Sequence, residues 1–238
     1  MAEEYRFKPV GIIQSPYKEK FAVPRQPGLV TAAEASLILS GDCNREEILR
    51  GIEDFSHLWL TFVFHKVADQ GWKPTVRPPR LGGNQRLGVF ATRSPFRPNP
   101  IGLSVVKLEG VTKKGNQWQL ELSGIDLVDG TPILDIKPYI PYADALPEAQ
   151  GGFADSAPGT PIPVTFSNKA QAQIAENSQT YPSLQQLISQ IISQQPQPAY
   201  QKAGAEPRRY GMALYDFNIE WINSGNDFHV INIEKVLK

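Results

Sequence analysis

The chain has 238 residues, 24 Lys and Arg against 24 Asp and Glu, and a hydrophobic fraction of 41%. It is long enough to bury a core without disulfide or metal staples. A single cysteine, Cys43, excludes an intramolecular disulfide, and no run approaches the about 18 apolar residues of a membrane helix.

With a charged N-terminus carrying no apolar stretch of signal-peptide length, these features point to a reducing, cytoplasmic protein. Zero net charge argues against a non-specific nucleic-acid binder, but the distribution is uneven. Residues 66–114 hold ten basic side chains against two acids, Asp69 and Glu109. That block either contacts phosphate or forms a solvated face balanced by acids elsewhere.

In chain order, residues 7–13 are predicted as a first strand, ended by Gln14-Ser15-Pro16. Asn44 followed by Glu47 has the spacing of a capping box and predicts a short helix over 45–50. Residues 55–65 are rich in aromatic and branched side chains, as expected of a strand buried on both faces. Residues 103–112 and 117–125 flank Lys113-Lys114-Gly115-Asn116 and predict a hairpin, with Trp118, Leu120 and Leu122 on one face. Another strand is expected at 131–136. Many short strands, few helices and Gly/Pro-rich turns indicate a barrel or a sandwich.

Composition shifts over 143–163, where Pro, Gly, Ala and acids accumulate as in a loop. Beyond it, Ser183 and Gln186 again have capping-box spacing, and Leu184, Leu187, Ile188, Ile191 and Ile192 form one apolar helical stripe. Ala213, Tyr215, Phe217, Ile219 and Trp221 alternate as one strand, and residues 223–226 turn into a strand over 228–236. The chain therefore reads as mainly β, with an N-terminal domain over 1–144, a linker over 145–164 and a small α+β C-terminal domain over 165–238.

No G-x-G-x-x-G, Walker loop, H-E-x-x-H, paired C-x-x-C or G-x-S-x-G is present. Three histidines and one cysteine make no standard zinc cluster, so no metal is expected. His57 and His65 lie on one face of one predicted strand but roughly 26 Å apart, too far to share a metal or a proton. The unusual stretch is 88–103, where a strand runs into Pro95, Pro98 and Pro100 with Arg93 and Arg97 four residues apart. Proline fixes φ, so the loop holds a shape. Its arginine forks suit a carboxylate or phosphate, or pair with acids at a stiff barrel corner. A second dense patch contains Asp126, Asp129, Gly130, Asp135, Tyr139, Tyr142 and Asp144. Asp129-Gly130 is a turn signal, whereas Asp135 within an apolar strand needs a partner such as Lys137 or a loop arginine.

These residues carry a resemblance. Val89-Phe90-Ala91-Thr92-Arg93-Ser94-Pro95, Arg97-Pro98-Asn99-Pro100-Ile101-Gly102, Asp129-Gly130-Thr131-Pro132 and Asp135-Ile136-Lys137-Pro138-Tyr139 closely resemble the TsaA-like (TrmO) family. Gln14-Ser15-Pro16 and Phe55-Ser56-His57-Leu58-Trp59 fit its earlier blocks, so the match covers about residues 5–144. Tyr210-Gly211 and Asp216-Phe217-Asn218 to Trp221 look like the extra domain of bacterial members.

The resemblance implies a homodimeric β-barrel enzyme using S-adenosylmethionine. It implies methylation on N6 of N6-threonylcarbamoyladenosine, beside the anticodon of a threonine tRNA. It places cofactor contacts on Gln14, Ser15, Pro16, His57, Leu58, Arg93, Leu103, Asp129, Gly130, Thr131 and Pro132. Adenine N6 turns cationic as it attacks, so Asp129 or Asp135 is the candidate proton acceptor or orienting group, though orientation alone can suffice. Arg77, Arg80, Arg86 and Arg97 are the candidate tRNA contacts. One departure is visible: bacterial members carry an acid and an arginine in a D-P-R-P-x-Y stretch, which here reads Gln195-Pro196-Gln197-Pro198-Ala199-Tyr200. The alternative to a methyltransferase is therefore a nucleotide- or RNA-binding module of the same fold without catalysis.

Overall fold

The computed structural model describes residues 4–156, 162–196, 207–225 and 227–236. The elements run β1 (Gly11–Gln14), β2 (Glu34–Leu39), β3 (His57–Val63), β4 (Thr75–Val76), β5 (Leu87–Gly88), β6 (Ile101–Lys114), β7 (Gln117–Ser123) and β8 (Pro132–Pro138). There follow α1 (Pro141–Asp144), β9 (Val164–Phe166), α2 (Asn168–Asn177), α3 (Leu184–Ser193), β10 (Arg208–Leu214), β11 (Phe217–Ser224) and β12 (Asp227–Lys235). The mainly β character expected from the sequence is present.

Six strands close on themselves in the order β1-β2-β7-β6-β3-β8, so of the two architectures left open the first sheet is the barrel. Closure depends on β6, which is 14 residues long and serves two neighbours. Its first half pairs with β3, from Val63↔Ile101 to His57↔Lys107, and its second half pairs with β7. Between them the register shifts at Leu108/Gly110. Such a bulge bends a strand and raises its twist, which lets one strand turn a barrel corner.

β3 corrects an expectation. Leu58, Leu60 and Phe62 are buried inside the barrel, but His57, Trp59, Thr61 and Val63 face outward and stay half-exposed. A strand in a closed barrel has one interior face, so an aromatic-rich run there does not require burial on both sides. Gly102 of β6 faces Phe62, with an added Cβ falling 2.2 Å from the ring. Glycine at this position is what lets the phenyl ring fill the barrel, where it meets Phe64 edge-on at 4.9 Å.

Several elements were not expected from the sequence, β2 and α2 among them. β2 alternates cleanly, with Ala35, Leu37 and Leu39 buried, and α2 is capped by Ser167, whose Oγ accepts from Ala170 N at 3.1 Å. The helix expected over 45–50 is only a 3-10 turn, Glu47–Leu49. Asn44 does not cap it: its side chain accepts from Trp118 N and donates to Asn116 O, both at 2.8 Å, and so fastens the turn to the β6–β7 hairpin. Ser183 likewise precedes α3 without a side-chain cap bond. The α3 stripe itself is as expected, with Leu184, Leu187, Ile188, Ile191 and Ile192 all buried.

The second sheet has the order β10-β11-β12-β9, with β9 parallel to β12 and α2 packed on β12. The single alternating strand expected through Ala213 to Trp221 is in fact a hairpin. Leu214 pairs with Phe217 across Tyr215-Asp216, and Tyr215 takes a left-handed φ of 53°. The buried positions change parity across the turn, from Met212 and Leu214 to Phe217, Ile219 and Trp221, but Ala213 and Tyr215 on the other face continue the odd-numbered apolar pattern and hide it.

The two sheets share one apolar core. Tyr17 bridges to Leu214, Tyr215 N donates to Pro16 O at 2.7 Å, and Phe21 stacks on Trp221 at 6.1 Å. Gln190 of α3 accepts from Ala32 N at 2.9 Å and donates to Thr31 Oγ1 at 3.0 Å.

Candidate active site

The proline loop leaves β5 through a 3-10 turn, Val89–Ala91, and braces itself. Thr92 Oγ1 donates to Val89 O at 2.8 Å and accepts from Ser94 N at 3.2 Å. Arg97 donates from Nη1 to two carbonyls of its own loop, Thr92 O at 3.1 Å and Ser94 O at 3.3 Å. Its guanidinium thus braces the loop through Nη1. Outside the loop, Phe64 N donates to Pro100 O at 2.8 Å and ties the far end to the barrel.

Held this way, the loop presents Arg93 at a cleft of about 440 Å³ on the outer face of β3 and β6. That size falls in the range of ligand pockets, on the order of 300–1,000 Å³. Its lining brings together His57, Arg93 and Leu103, three of the expected cofactor residues from separate stretches of sequence. Trp59, Val105, Tyr139 and Asp144 complete it, with Pro27 at the edge. Arg93 Nη1 donates to Gln26 Oε1 at 2.5 Å. An exposed guanidinium on a stiff loop beside apolar Leu103 and Val105 fits an amphiphile with a carboxylate.

The other expected cofactor residues form a second cluster at the barrel's end. Ser15 N donates to Asp129 Oδ1 at 2.9 Å, Gly130 N to Ile13 O at 2.8 Å, and Ser15 Oγ to Leu127 O at 2.8 Å. Lys18 Nζ meets Asp129 Oδ2 at 2.8 Å, and Thr131 Oγ1 donates to Val128 O at 2.6 Å. Gln14 ends β1 and Pro132 opens β8 beside this turn. Both carboxylate oxygens of Asp129 are engaged, so it clasps the two blocks together. None of these residues lines the cleft.

Asp126, which the sequence offered only as one acid in a patch, lies between the two clusters. It accepts from Ser104 Oγ at 2.6 Å, next to cleft residue Leu103. Burial pushes its carboxyl up to about 6, against the hydrogen bond from Ser104, its own backbone amide and the charge of Arg93. Tyr17 lies within reach of its charge; burial first and then Asp126 raise the phenol above its usual range. The Tyr17 hydroxyl is buried without a hydrogen-bond partner among the described residues.

Leu58 is fully buried, so its side chain belongs to the barrel core. Asp135 pairs with Lys137, a partner expected for it, and its side chain is 49% exposed. It borders a different, mostly apolar cavity with Cys43, Ile48 and Phe55, away from the cleft. His65 lies beyond the end of β3, and burial followed by Lys66 lowers its pKa. Arg80 donates to Ser156 Oγ at 3.0 Å and Arg86 to Thr75 Oγ1 at 3.2 Å, while Arg77 follows β4. Gln195 follows α3 in a left-handed conformation, φ 52°, and Gln197 lies outside the described residues.

The missed cleft residues had a sequence signal. Trp59 and Tyr139 are large aromatics inside the same blocks as His57 and Asp135, but no pattern brought them to one face.

The family models for the tRNA-methyltransferase O N-terminal domain and the TrmO C-terminal domain match residues 12–145 and 159–236. The chain belongs to the tRNA-methyltransferase O family. It is 49% identical over 230 residues to the tRNA (adenine(37)-N6)-methyltransferase of Escherichia coli K12, covering 97% of this chain and 98% of that one. A Pseudomonas aeruginosa candidate S-adenosylmethionine-dependent methyltransferase, RcsF, is 51% identical over 215 residues, covering 90% of each. A crystal structure of TrmO from P. aeruginosa superposes with a TM-score of 0.81 at 42% identity, covering 99% of both chains.

Proposed function

We propose that the protein transfers the methyl group of S-adenosylmethionine to N6 of the adenosine at position 37 of tRNA. The substrate nucleoside is N6-threonylcarbamoyladenosine beside the anticodon of a threonine tRNA. The observation that carries this reading is the convergence of Arg93, His57 and Leu103 at one cleft in a chain of this family.

When bound, S-adenosylmethionine supplies an electrophilic methyl on a sulfonium. The protein's own residues do the rest. Arg93 meets a carboxylate, and Leu103 and Val105 cover apolar atoms. The wall of Trp59 and Tyr139 limits where a base can lie. The residues of the cleft would align that methyl group with N6, whose proton would pass to solvent. Such a transfer needs alignment more than a strong base.

The protein acts as a cytoplasmic homodimer in this reading. Leu103 at 55% and Phe90 at 78% exposure are large apolar side chains beside the loop and cleft, and a second subunit is the occupant that would cover them. The deciding experiment is mass spectrometry of tRNA nucleosides from cells with and without the protein, followed by transfer with purified enzyme. Loss of the N6-methylated nucleoside in the deletion, restored by the protein, is expected. An unchanged nucleoside profile overturns the reading and leaves a non-catalytic RNA-binding module.

A further inference from the structure

Within the cleft, one wall is aromatic and fixed. Trp59 and Tyr139 lie 5.9 Å apart at 45°, and His57 meets Tyr139 edge-on at 6.3 Å. Trp59 is locked by Asp144, whose Oδ2 accepts from Trp59 Nε1 at 3.0 Å and from Ile140 N at 2.8 Å. The indole's only polar atom is therefore already satisfied, and what it offers a ligand is its ring. A rigid, half-exposed π surface with no free donor suits a flat ring system, and nucleobases stack on such side chains.

The strand register decides what kind of flat ring. Trp59 of β3 lies directly across from Lys137 of β8 and Val105 of β6, and His57 lies across from Lys107. Cross-strand partners share a face, so two lysines flank the aromatic wall on the outside of the barrel. Each is bridged to an acid two residues along its own strand, Lys107 to Glu109 and Lys137 to Asp135, and each side chain stays exposed. An aromatic platform between lysines matches a base joined to phosphates. S-adenosylmethionine carries no phosphate, and the cleft's guanidinium, suited to its carboxylate, is on the other strand-loop side at Arg93.

We propose that Trp59 and Tyr139 are the stacking platform for the target adenine of the tRNA, and that Asp144 is a positioning residue that holds Trp59 flat against it. This rests on the methyltransferase reading and names the substrate side of that same cleft. The shared chemistry is an adenine ring, which the cofactor also carries, so the test must separate the two sources.

The full-length protein and its Trp59→Ala, Trp59→Phe and Asp144→Ala variants are compared in three measurements: calorimetry with S-adenosylhomocysteine, binding of threonine tRNA from cells lacking the enzyme, and single-turnover methyl transfer. Trp59→Ala is expected to weaken tRNA binding about tenfold or more, with S-adenosylhomocysteine affinity held within about twofold. Trp59→Phe should recover most of the loss, because a ring remains. Asp144→Ala should slow single-turnover transfer and weaken tRNA binding by less than Trp59→Ala, again without moving S-adenosylhomocysteine affinity.

If Trp59→Ala weakens S-adenosylhomocysteine and spares tRNA, the platform belongs to the cofactor's adenine and the proposal is overturned. If neither affinity moves, it is also overturned. Melting curves show whether each variant is folded, and Trp59→Phe with Asp144→Ala decide the matter if Trp59→Ala is not. Wild-type protein that binds tRNA but transfers no methyl group overturns the proposed function alone, and the two binding measurements still decide the stacking role.

Discussion

Ser104 Oγ donates a 2.6 Å hydrogen bond to Asp126 Oδ1, joining the inner face of β6 to the loop before the Asp129 turn. Ser104 is fully buried and Leu103 beside it lines the cleft, so this bond couples the barrel interior to the back of the site.

The pair predicts a pH dependence of stability. The folded-state carboxyl of Asp126 is raised from 3.8 to about 6, chiefly by burial. Below 3.8 it is protonated in both states and costs nothing. As pH rises from 3.8 to 6 the unfolded chain ionises first, so stability falls, and the cost is complete above about 6. The rise corresponds to about 3 kcal/mol at most. Asp126→Asn should therefore gain stability over wild type at pH 8 and lose that advantage near pH 4. Thermal melts of both proteins across this range check it, and a pH-independent difference would contradict it.

Arg93→Ala should leave the fold intact, because its hydrogen bond goes to the half-exposed Gln26 side chain. Methyl transfer should fall by roughly 10- to 150-fold, the equivalent of about 1.5–3 kcal/mol for a charge-assisted contact. Near-normal kcat/KM in steady-state kinetics would remove Arg93 from the site. The same variant should push Asp126 higher still, since it removes an opposite charge.

Gly102→Ala should destabilise the barrel by about 1–3 kcal/mol, the usual cost of overpacking a filled core. The new methyl would fall 2.2 Å from the Phe62 ring. Phe62→Leu in the same chain should return part of the loss, measured by denaturant midpoint, because it vacates the overlapping atoms.

Arg77, Arg80 and Arg86 lie on the excursion between β3 and β6, outside the barrel wall. Charge reversal at any of them that contacts phosphate should weaken tRNA binding, leave cofactor binding alone and flatten the salt slope by about one unit. Reversal of Arg97 should instead lower the melting temperature, because it breaks the bonds to Thr92 O and Ser94 O. Salt-dependent affinity and melting temperature on the same four variants distinguish the two roles.

Much of the fold was legible in the sequence wherever one local rule decided. The Gly115 turn made the β6–β7 hairpin, the apolar stripe made α3, and three prolines made a stiff loop. Where a tertiary partner competed, local reading failed. Asn44 has capping chemistry, but Trp118 N claimed its oxygen. At Tyr215-Asp216 the buried face changes parity, and the apolar Ala213 and Tyr215 on the opposite face masked the turn.

The site divided in the same way. The sequence by itself determined which side chains are chemically equipped: the rigid arginine loop, the Asp129-Gly130 turn, the aromatic run of β3. Only the tertiary structure decided which of them meet. Barrel closure sets β3 between β6 and β8, and this puts Trp59, Leu103 and Tyr139 on one outer face while turning Leu58 inward. The same closure sends Asp135 to another cavity and buries Asp126 behind Ser104. Which face a residue occupies follows from strand register, and register is fixed by pairings between segments far apart in the chain, a quantity that no local pattern carries.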